Sequence, residues 1–179
     1  GNYVGYASST ANRSDTDEAR TNPQANQRVR GIGSATLTRN FFLTEIPFDT
    51  YNSSRLTVNR GPNAILFGVG SPSGILDNSL TRASLGRDMG EVGLRFGGNE
   101  SNRETFNYNK VLIKNRLAIR LAGLRQSENY NQKPAFQDDQ RLFADVAAVL
   151  FKNEKSSFLG ATTLRANFES GKIDSNPPM

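Results

Sequence analysis

The sequence has 179 residues, 36% of them hydrophobic, with a net charge of +5 from 22 basic and 17 acidic side chains and with neither Cys nor His. This excludes disulfides, Cys/His metal sites, thiol nucleophiles and triads with a histidine base. Basic and acidic residues are interspersed, so no nucleic-acid partner is expected. No apolar run approaches the ~18 residues of a membrane helix, but that leaves open a barrel whose strands alternate and turn their polar side to a lumen. The sequence starts at Gly1 without a leader-like stretch and stops in the polar Asn176-Pro177-Pro178-Met179. We read it as a piece of a larger protein.

Residues 1–27 are polar, and Ser8–Gln27 has little to bury, so a loop-rich segment is expected. Arg28-Val29-Arg30-Gly31-Ile32 reads as a short strand with basic flanks. Gly33–Thr38 reads as a small-residue loop, and Leu37–Leu43 as an extended apolar stretch. Phe41, Phe42, Phe48 and Tyr51 lie close together and are expected to pack a core, with an aromatic ligand platform as the functional alternative. Pro47 holds Ile46 extended, and Asp49–Ser54 is turn-rich.

Arg55–Asn78 is the most informative run. Leu56, Thr57 and Val58 form a short strand. Arg60-Gly61-Pro62-Asn63 is a tight turn in which Pro fixes φ and Gly relieves a strained position. Ala64-Ile65-Leu66-Phe67 is one helical turn, with Pro62 where a first-turn proline is tolerated. Gly68, Gly70, Pro72 and Gly74 then break the chain before Ile75-Leu76 resumes a strand. A phosphate-binding loop fails on spacing: there is no GxxxxGK[ST] and no lysine nearby. The Rossmann fingerprint fails because no long helix follows. A Gly/Pro-rich surface loop of a soluble domain is the plain alternative.

This run resembles the plug domain of TonB-dependent outer-membrane receptors. The matching pieces are Arg55-Leu56-x-Val58-x-Arg60-Gly61-Pro62, then Ala64-Ile65-Leu66-Phe67-Gly68, then Ser71-Pro72-Ser73-Gly74-Ile75. Thr57, Ser73 and Asp77 depart from the usual pattern. The resemblance implies a structural role for Arg55, Arg60, Gly61, Pro62, Gly68, Pro72 and Gly74 in folding and seating a plug. It also implies ion pairs between barrel carboxylates and Arg30 and Arg60, against the plain reading of surface salt bridges.

After Thr81-Arg82 the texture changes. Ala83–Gly90 is a small-residue linker. From Glu91 onward the chain alternates with period two, which argues strands with one apolar and one polar face. Val92, Leu94 and Phe96 share a face. Phe106, Tyr108, Lys110 and Leu112 oppose Thr105, Asn107, Asn109 and Val111. Leu117, Ile119 and Leu121 oppose Arg116, Arg120 and Ala122. Leu142, Ala144, Val146, Ala148 and Leu150 share a side in Arg141–Phe151. In Ser157–Phe168, Phe158, Thr162, Leu164, Ala166 and Phe168 face away from Thr163, Arg165 and Asn167. Lys114-Asn115 reads as a two-residue hairpin turn, Asn115 supplying the left-handed preference, and Lys152–Lys155 as a second short turn. Asn99–Asn102, Asn129–Asp138 and Gly171–Met179 read as polar loops. Five strands of roughly ten residues joined by alternately short and longer loops fit a membrane barrel. A soluble β-sandwich alternates similarly; the plug resemblance separates the two, because in that family plug is followed directly by barrel.

The expected fold is mainly β: an α+β plug segment followed by antiparallel meander strands of a transmembrane β-barrel, incomplete in this chain. The expected divisions are a loop-rich plug segment over 1–27, the later part of the plug over 28–82, a linker over 83–90 and barrel strands over 91–179. The resemblance implies energised uptake of a scarce nutrient, such as a ferric siderophore, cobalamin or carbohydrate, across the outer membrane of a Gram-negative bacterium. The implied partners are TonB (through upstream plug missing here), outer-membrane lipid and a ligand such as a metal chelate. No cofactor and no catalysis are expected. Placement in loops makes Ser34, Thr36, Asn99, Asn102, Tyr130 and Phe136 candidate ligand contacts. Tyr108 and Phe158 are candidates for an aromatic girdle. Glu45, Asp49, Asp138 and Asp139 have no base or metal ligand beside them in the pattern, and Asp138-Asp139 reads as a solvated loop pair. The rival reading is a soluble or self-assembling β-rich binding or structural module, supported by low mean hydropathy and by open strand edges.

Overall fold

A computed structural model describes residues 4–6, 27–29, 33–59, 74–152 and 161–176. The chain divides into two compact units, Gly1–Leu80 and Thr81–Met179.

The first unit holds two sheets. β1 (Val4–Tyr6), β2 (Gln27–Val29) and β3 (Gly33–Ser34) pair antiparallel in that order. The second sheet runs β5-β4-β7-β6, from β4 (Thr36–Arg39), β5 (Phe42–Leu43), β6 (Ser53–Asn59) and β7 (Ile75–Leu80). β7 is central: it pairs parallel with β4, Thr36 opposite Ile75, and antiparallel with β6, Asn59 opposite Ile75. Most of Gly33–Thr38 is therefore strand rather than loop: Gly33 and Ser34 pair with Val29 and Arg28 of β2, and Thr36, Leu37 and Thr38 with β7, distant in sequence. Gly74 enters β7 at φ 118°, a conformation that favours glycine, and its carbonyl accepts the Thr36 N–H at 3.0 Å.

Leu37–Leu43 is not one extended run. Asn40 and Phe41 turn the chain at φ 47° and 72°. The buried Asp77 carboxylate holds this turn, accepting the Phe41 N–H at 2.9 Å and the Thr38 hydroxyl at 2.7 Å. The turn throws Phe41 and Phe42 outward, 60% and 77% exposed, so they do not pack the core as expected. Tyr51 is buried, and Phe48 packs against Ala35, Leu37 and Leu76. This unit also buries Asn52 and Asn78 completely, with side-chain amides that have no hydrogen-bond partner among the described residues.

The second unit is one antiparallel meander: β8 (Met89–Phe96), β9 (Asn102–Ile113), β10 (Leu117–Asn129), β11 (Phe136–Lys152) and β12 (Ala161–Asn176), with β8 and β12 at its edges. The strands are longer than the alternation alone marks. Residues 171–176 continue β12 instead of forming a loop, because the first residues of β11 pair with them, Asp138 opposite Asp174. Lys114-Asn115-Arg116 makes a three-residue connection rather than a two-residue one, with Asn115 at φ 58° and the Arg116 N–H donating to the Ile113 carbonyl at 2.9 Å. A register shift between Leu117 and Ala118 absorbs the extra residue.

The helical turn expected at 64–67, Phe158, and most of the Lys152–Lys155 turn lie outside the described residues.

Candidate functional site

Cross-strand register sorts the meander into two faces. One carries Val92, Leu94 and Phe96 from β8, Phe106 and Tyr108 from β9, Leu117, Ile119 and Leu121 from β10, Leu142, Ala144, Val146 and Ala148 from β11, and Leu164 and Phe168 from β12. Large apolar side chains stand open there, Val92 at 75% and Phe168 at 67% exposure. Phe106 lies over Gly123, where an added Cβ would sit 2.2 Å from its ring.

The apolar runs of β10, β11 and β12 centre on one row, Ile119, Val146 and Ala166, and that of β8 is displaced from it. The hydrogen-bonded row through Leu94 runs Glu104, Arg125, Gln140 and ends on Lys172. The apolar run of β12 is instead centred on Ala166, between Leu164 and Phe168, six residues earlier. Strands ~4.8 Å apart and tilted 35–45° from a common axis would displace a level band by about 1.0–1.5 residues per strand, or about 4–6 across four steps. The offset between β8 and β12 has the size such a tilt produces, but it falls between β8 and β10 rather than evenly across the sheet.

The opposite face is polar. One row joins Asn109, Arg120, Asp145 and Asn167. Arg120 donates from Nε to Asn107 Oδ1 at 2.8 Å and from Nη1 to the Arg82 carbonyl at 3.2 Å. Further along, Arg103 donates to Gln126. Asp139 and Arg141, two residues apart on β11, form a two-pronged pair, Nε to Oδ1 at 2.7 Å and Nη2 to Oδ2 at 2.5 Å, with both side chains only 6% exposed. Asp138-Asp139 is thus not a solvated loop pair: strand alternation turns Asp139 to the polar face, where the guanidinium neutralises it. Gly171 leaves the space for Arg141, since a Cβ there would approach Arg141 Cγ to 2.7 Å and the Gln140 carbonyl to 2.8 Å.

Residues 81–88 form a strap on this polar face. Asp145 accepts the Ala83 N–H at 2.6 Å. The buried Asn109 side chain accepts the Ser84 N–H at 2.8 Å and donates to the carbonyls of Ser84 at 3.0 Å and Arg87 at 2.8 Å. Ala83 packs on Ala118 and Ala147, with Leu85 and Val111 alongside. At the far end Asp88 accepts the Val111 N–H at 2.7 Å and meets Lys110 at 2.6 Å. The Lys110 ammonium, then the Val111 N–H, hold its carboxyl below the ordinary value. Beside the strap lies a cavity of about 340 Å³ lined by Arg87, Asp88, Met89, Gly90, Glu91, Asn107 and Arg120. Asn109 and Asp145 escape sequence reasoning because each looks like any other polar residue of an alternating strand.

At the end of the sheet opposite the 114–116 turn, two connections are stitched together. Asn99 and Glu100 take φ 54° and 60° in the β8–β9 turn. Asn99 Nδ2 donates to Asn131 Oδ1 at 2.6 Å, and Ser101 Oγ accepts the Asn129 N–H at 3.0 Å. Tyr130 lies in the second connection, its hydroxyl pKa raised by burial and by nearby Glu128.

Of the residues marked from sequence, Arg30, Arg60, Gly61, Pro62, Gly68 and Pro72 lie outside the described residues. Arg55 is an exposed residue of β6. Ser34 ends β3 and Thr36 begins β4. Asn99 and Tyr130 come to the same end of the meander. Asn102 and Phe136 are the first residues of β9 and β11, and register puts both on the apolar side. Among the described residues no group of three or more acidic, His or Cys side chains is placed to hold a metal.

No family model and no curated protein matches the chain. Solved structures do. The ferric-catecholate import receptor Fiu from E. coli K12 (open form) superposes with a TM-score of 0.71 at 16% identity, covering 84% of this chain and 22% of Fiu. The ferripyoverdine receptor of the Pseudomonas aeruginosa outer membrane gives 0.65 at 14% identity, covering 82% and 20%. The siderophore receptor PiuA from Acinetobacter baumannii gives 0.61 at 17% identity, covering 77% and 19%. The chain spans about a fifth of each, and each is a receptor rather than an enzyme.

Proposed function

We propose that this chain, which has the fold of part of a TonB-dependent siderophore receptor, contributes the later part of the plug and five barrel strands to an outer-membrane receptor for energised uptake of a scarce nutrient. A ferric siderophore is the ligand class the similar structures favour, ahead of cobalamin or carbohydrate. The observation that carries the reading is the open apolar face of the meander, on which Val92, Leu94, Phe96, Leu142, Leu164 and Phe168 are all exposed. A soluble sandwich covers such a face with a second sheet, whereas a barrel wall presents it to lipid.

In this reading the first unit is plug, and the apolar face of the second meets lipid while its polar face lines the lumen. Arg55, Arg60, Gly61, Pro62, Gly68, Pro72 and Gly74 fold and seat the plug, and Arg30 and Arg60 pair with wall carboxylates. Ligand meets the stitched rim through Asn99 and Tyr130, and the plug through Ser34 and Thr36. TonB acts on plug upstream of this chain. The receptor performs no bond chemistry; binding and a force-driven opening account for transport.

The test uses the full-length gene product. It should fractionate with the outer membrane, and its deletion should abolish TonB-dependent growth on at least one ferric siderophore as sole iron source. A water-soluble product with no iron-uptake phenotype would overturn the reading in favour of the soluble or self-assembling module, whose support is the two edges, β8 and β12, that are unpaired among the described residues.

A further inference from the structure

We infer that the cavity beside the strap is a binding site for a small acidic amino acid, whose carboxylates meet Arg87 and Arg120 and whose ammonium group meets Glu91. This goes beyond the receptor reading and stands without it.

The cavity of about 340 Å³ lies wholly within the second unit. It has the volume of about eleven waters at ~30 Å³ each, room for a molecule of about ten non-hydrogen atoms. Its lining carries two guanidiniums, Arg87 and Arg120, and two carboxylates, Asp88 and Glu91. Asp88 is already committed to the Lys110 ammonium and the Val111 N–H. Asp145, opposite Arg120 on β11, accepts the Ala83 N–H. The side chains of Arg87 and Glu91 make no hydrogen bond or ion pair among the described residues. Arg120 spends Nε on Asn107 and Nη1 on the Arg82 carbonyl, which leaves Nη2 to face a ligand.

The sheet keeps these unlike charges apart. Register sets Glu91 on β8 opposite Asn107 on β9, and Arg120 stands on β10, two strand spacings or about 10 Å away at the backbone. Arg120 is held toward Asn107 and the strap by its two bonds, so it does not close the gap to Glu91. A simple anion in this gap would leave Glu91 unmatched, and a simple cation would leave both arginines unmatched. Two carboxylates and one ammonium group match all three. Guanidiniums suit planar carboxylates because they donate in pairs. Met89 supplies an apolar wall for the methylenes between the charged ends.

The experiment takes the full-length protein, in detergent where it fractionates with membranes, and follows free L-glutamate by saturation-transfer NMR. L-glutamate should bind saturably with a Kd below ~10 mM. Glutarate, which has both carboxylates but no ammonium group, and glycine, which has one carboxylate, should each bind at least ~10-fold more weakly. Arg87→Gln and Glu91→Gln break no contact of the fold. Arg87→Gln should weaken L-glutamate at least ~10-fold. Glu91→Gln should abolish the preference for L-glutamate over glutarate. Lys172→Gln, an exposed cation outside the cavity, should change neither. The site would be overturned by no saturable binding of L-glutamate, by glutarate binding as tightly as L-glutamate to the unsubstituted protein, or by equal losses with Arg87→Gln and Lys172→Gln, which would mark attraction to net charge alone. None of these readings depends on iron uptake or membrane residence, so failure of the proposed function would leave them standing.

Discussion

Asp139 and Arg141 show how alternation turns a hydrophilic strand into a structural pair. Two residues apart, they face the same way, and their planar groups meet side by side with almost no solvent. Removing one partner should cost about 3–5 kcal/mol, because the other charge is left buried and uncompensated. Asp139→Ala should therefore lower the denaturant midpoint of the refolded protein far more than Asp138→Ala. Gly171→Ala should act on the same pair from the neighbouring strand, through the 2.7 Å approach to Arg141. On the other face, Gly123→Ala drives a methyl into the Phe106 ring and should cost about 1–3 kcal/mol. The double change with Phe106→Ala should cost less than the sum of the two. Asp88 carries a pH prediction. Its carboxyl is held below the ordinary value of 3.8, so its contacts contribute stability above that value and lose it as pH falls through the lower, folded one. The Asp88 carboxyl resonance should be flat from pH 8 to 5 and should move only in stronger acid. Lys110→Met should raise its midpoint.

At the scale of elements, what the sequence shows depends on how each strand is stabilised. β8 to β11 and the first half of β12 alternate because one face is apolar and the other polar, and there period two marks the strands and assigns Asn107, Asn109, Arg120 and Asn167 to the correct side. The end of β12 does not alternate: Gly171, Lys172 and Asp174 are polar whichever way they point, so only pairing with β11 reveals the strand. β4 is hidden for a similar reason, since its parallel partner lies almost forty residues on. The strap is hidden because its own residues contribute backbone groups, while the side chains that hold it sit on three other elements. The turn at Asn40 and Phe41 rests on Asp77, a residue noticed from sequence only as a departure from the usual pattern. If the apolar face meets lipid, an added charge there should cost what the bilayer demands: Ala166→Arg should destabilise the protein refolded into vesicles by about 2–4 kcal/mol. Asn167→Arg, one residue on and facing the other way, should change stability far less. Equal effects would remove the distinction between the faces.

For the whole molecule, the decisive sequence signal was the Gly, Pro and Arg spacing over Arg55–Asn78, most of it outside the described residues. Solved receptors nevertheless superpose over most of the chain at 14–17% identity, so the fold likeness stands independently of that motif. The chain covers about a fifth of those receptors, and among the described residues its meander keeps two open edges. Open edges are not tolerated in lipid, so membrane residence requires further strands that pair with β8 and β12. The property internal to this chain that separates a membrane wall from a soluble sheet is the depth of its residues.

The most direct measurement places single spin labels at positions 94, 166 and 172 of the full-length protein in lipid vesicles and reads depth from oxygen against nickel-chelate collision rates. The account predicts that 94 and 166 lie at similar depth within the hydrocarbon. Position 172 shares a hydrogen-bonded row with 94, yet should lie about 15 Å further along the normal, at the headgroups, given ~3.3 Å per residue and a 35–45° tilt. Equal depths for 94 and 172, or water access at all three, would contradict it.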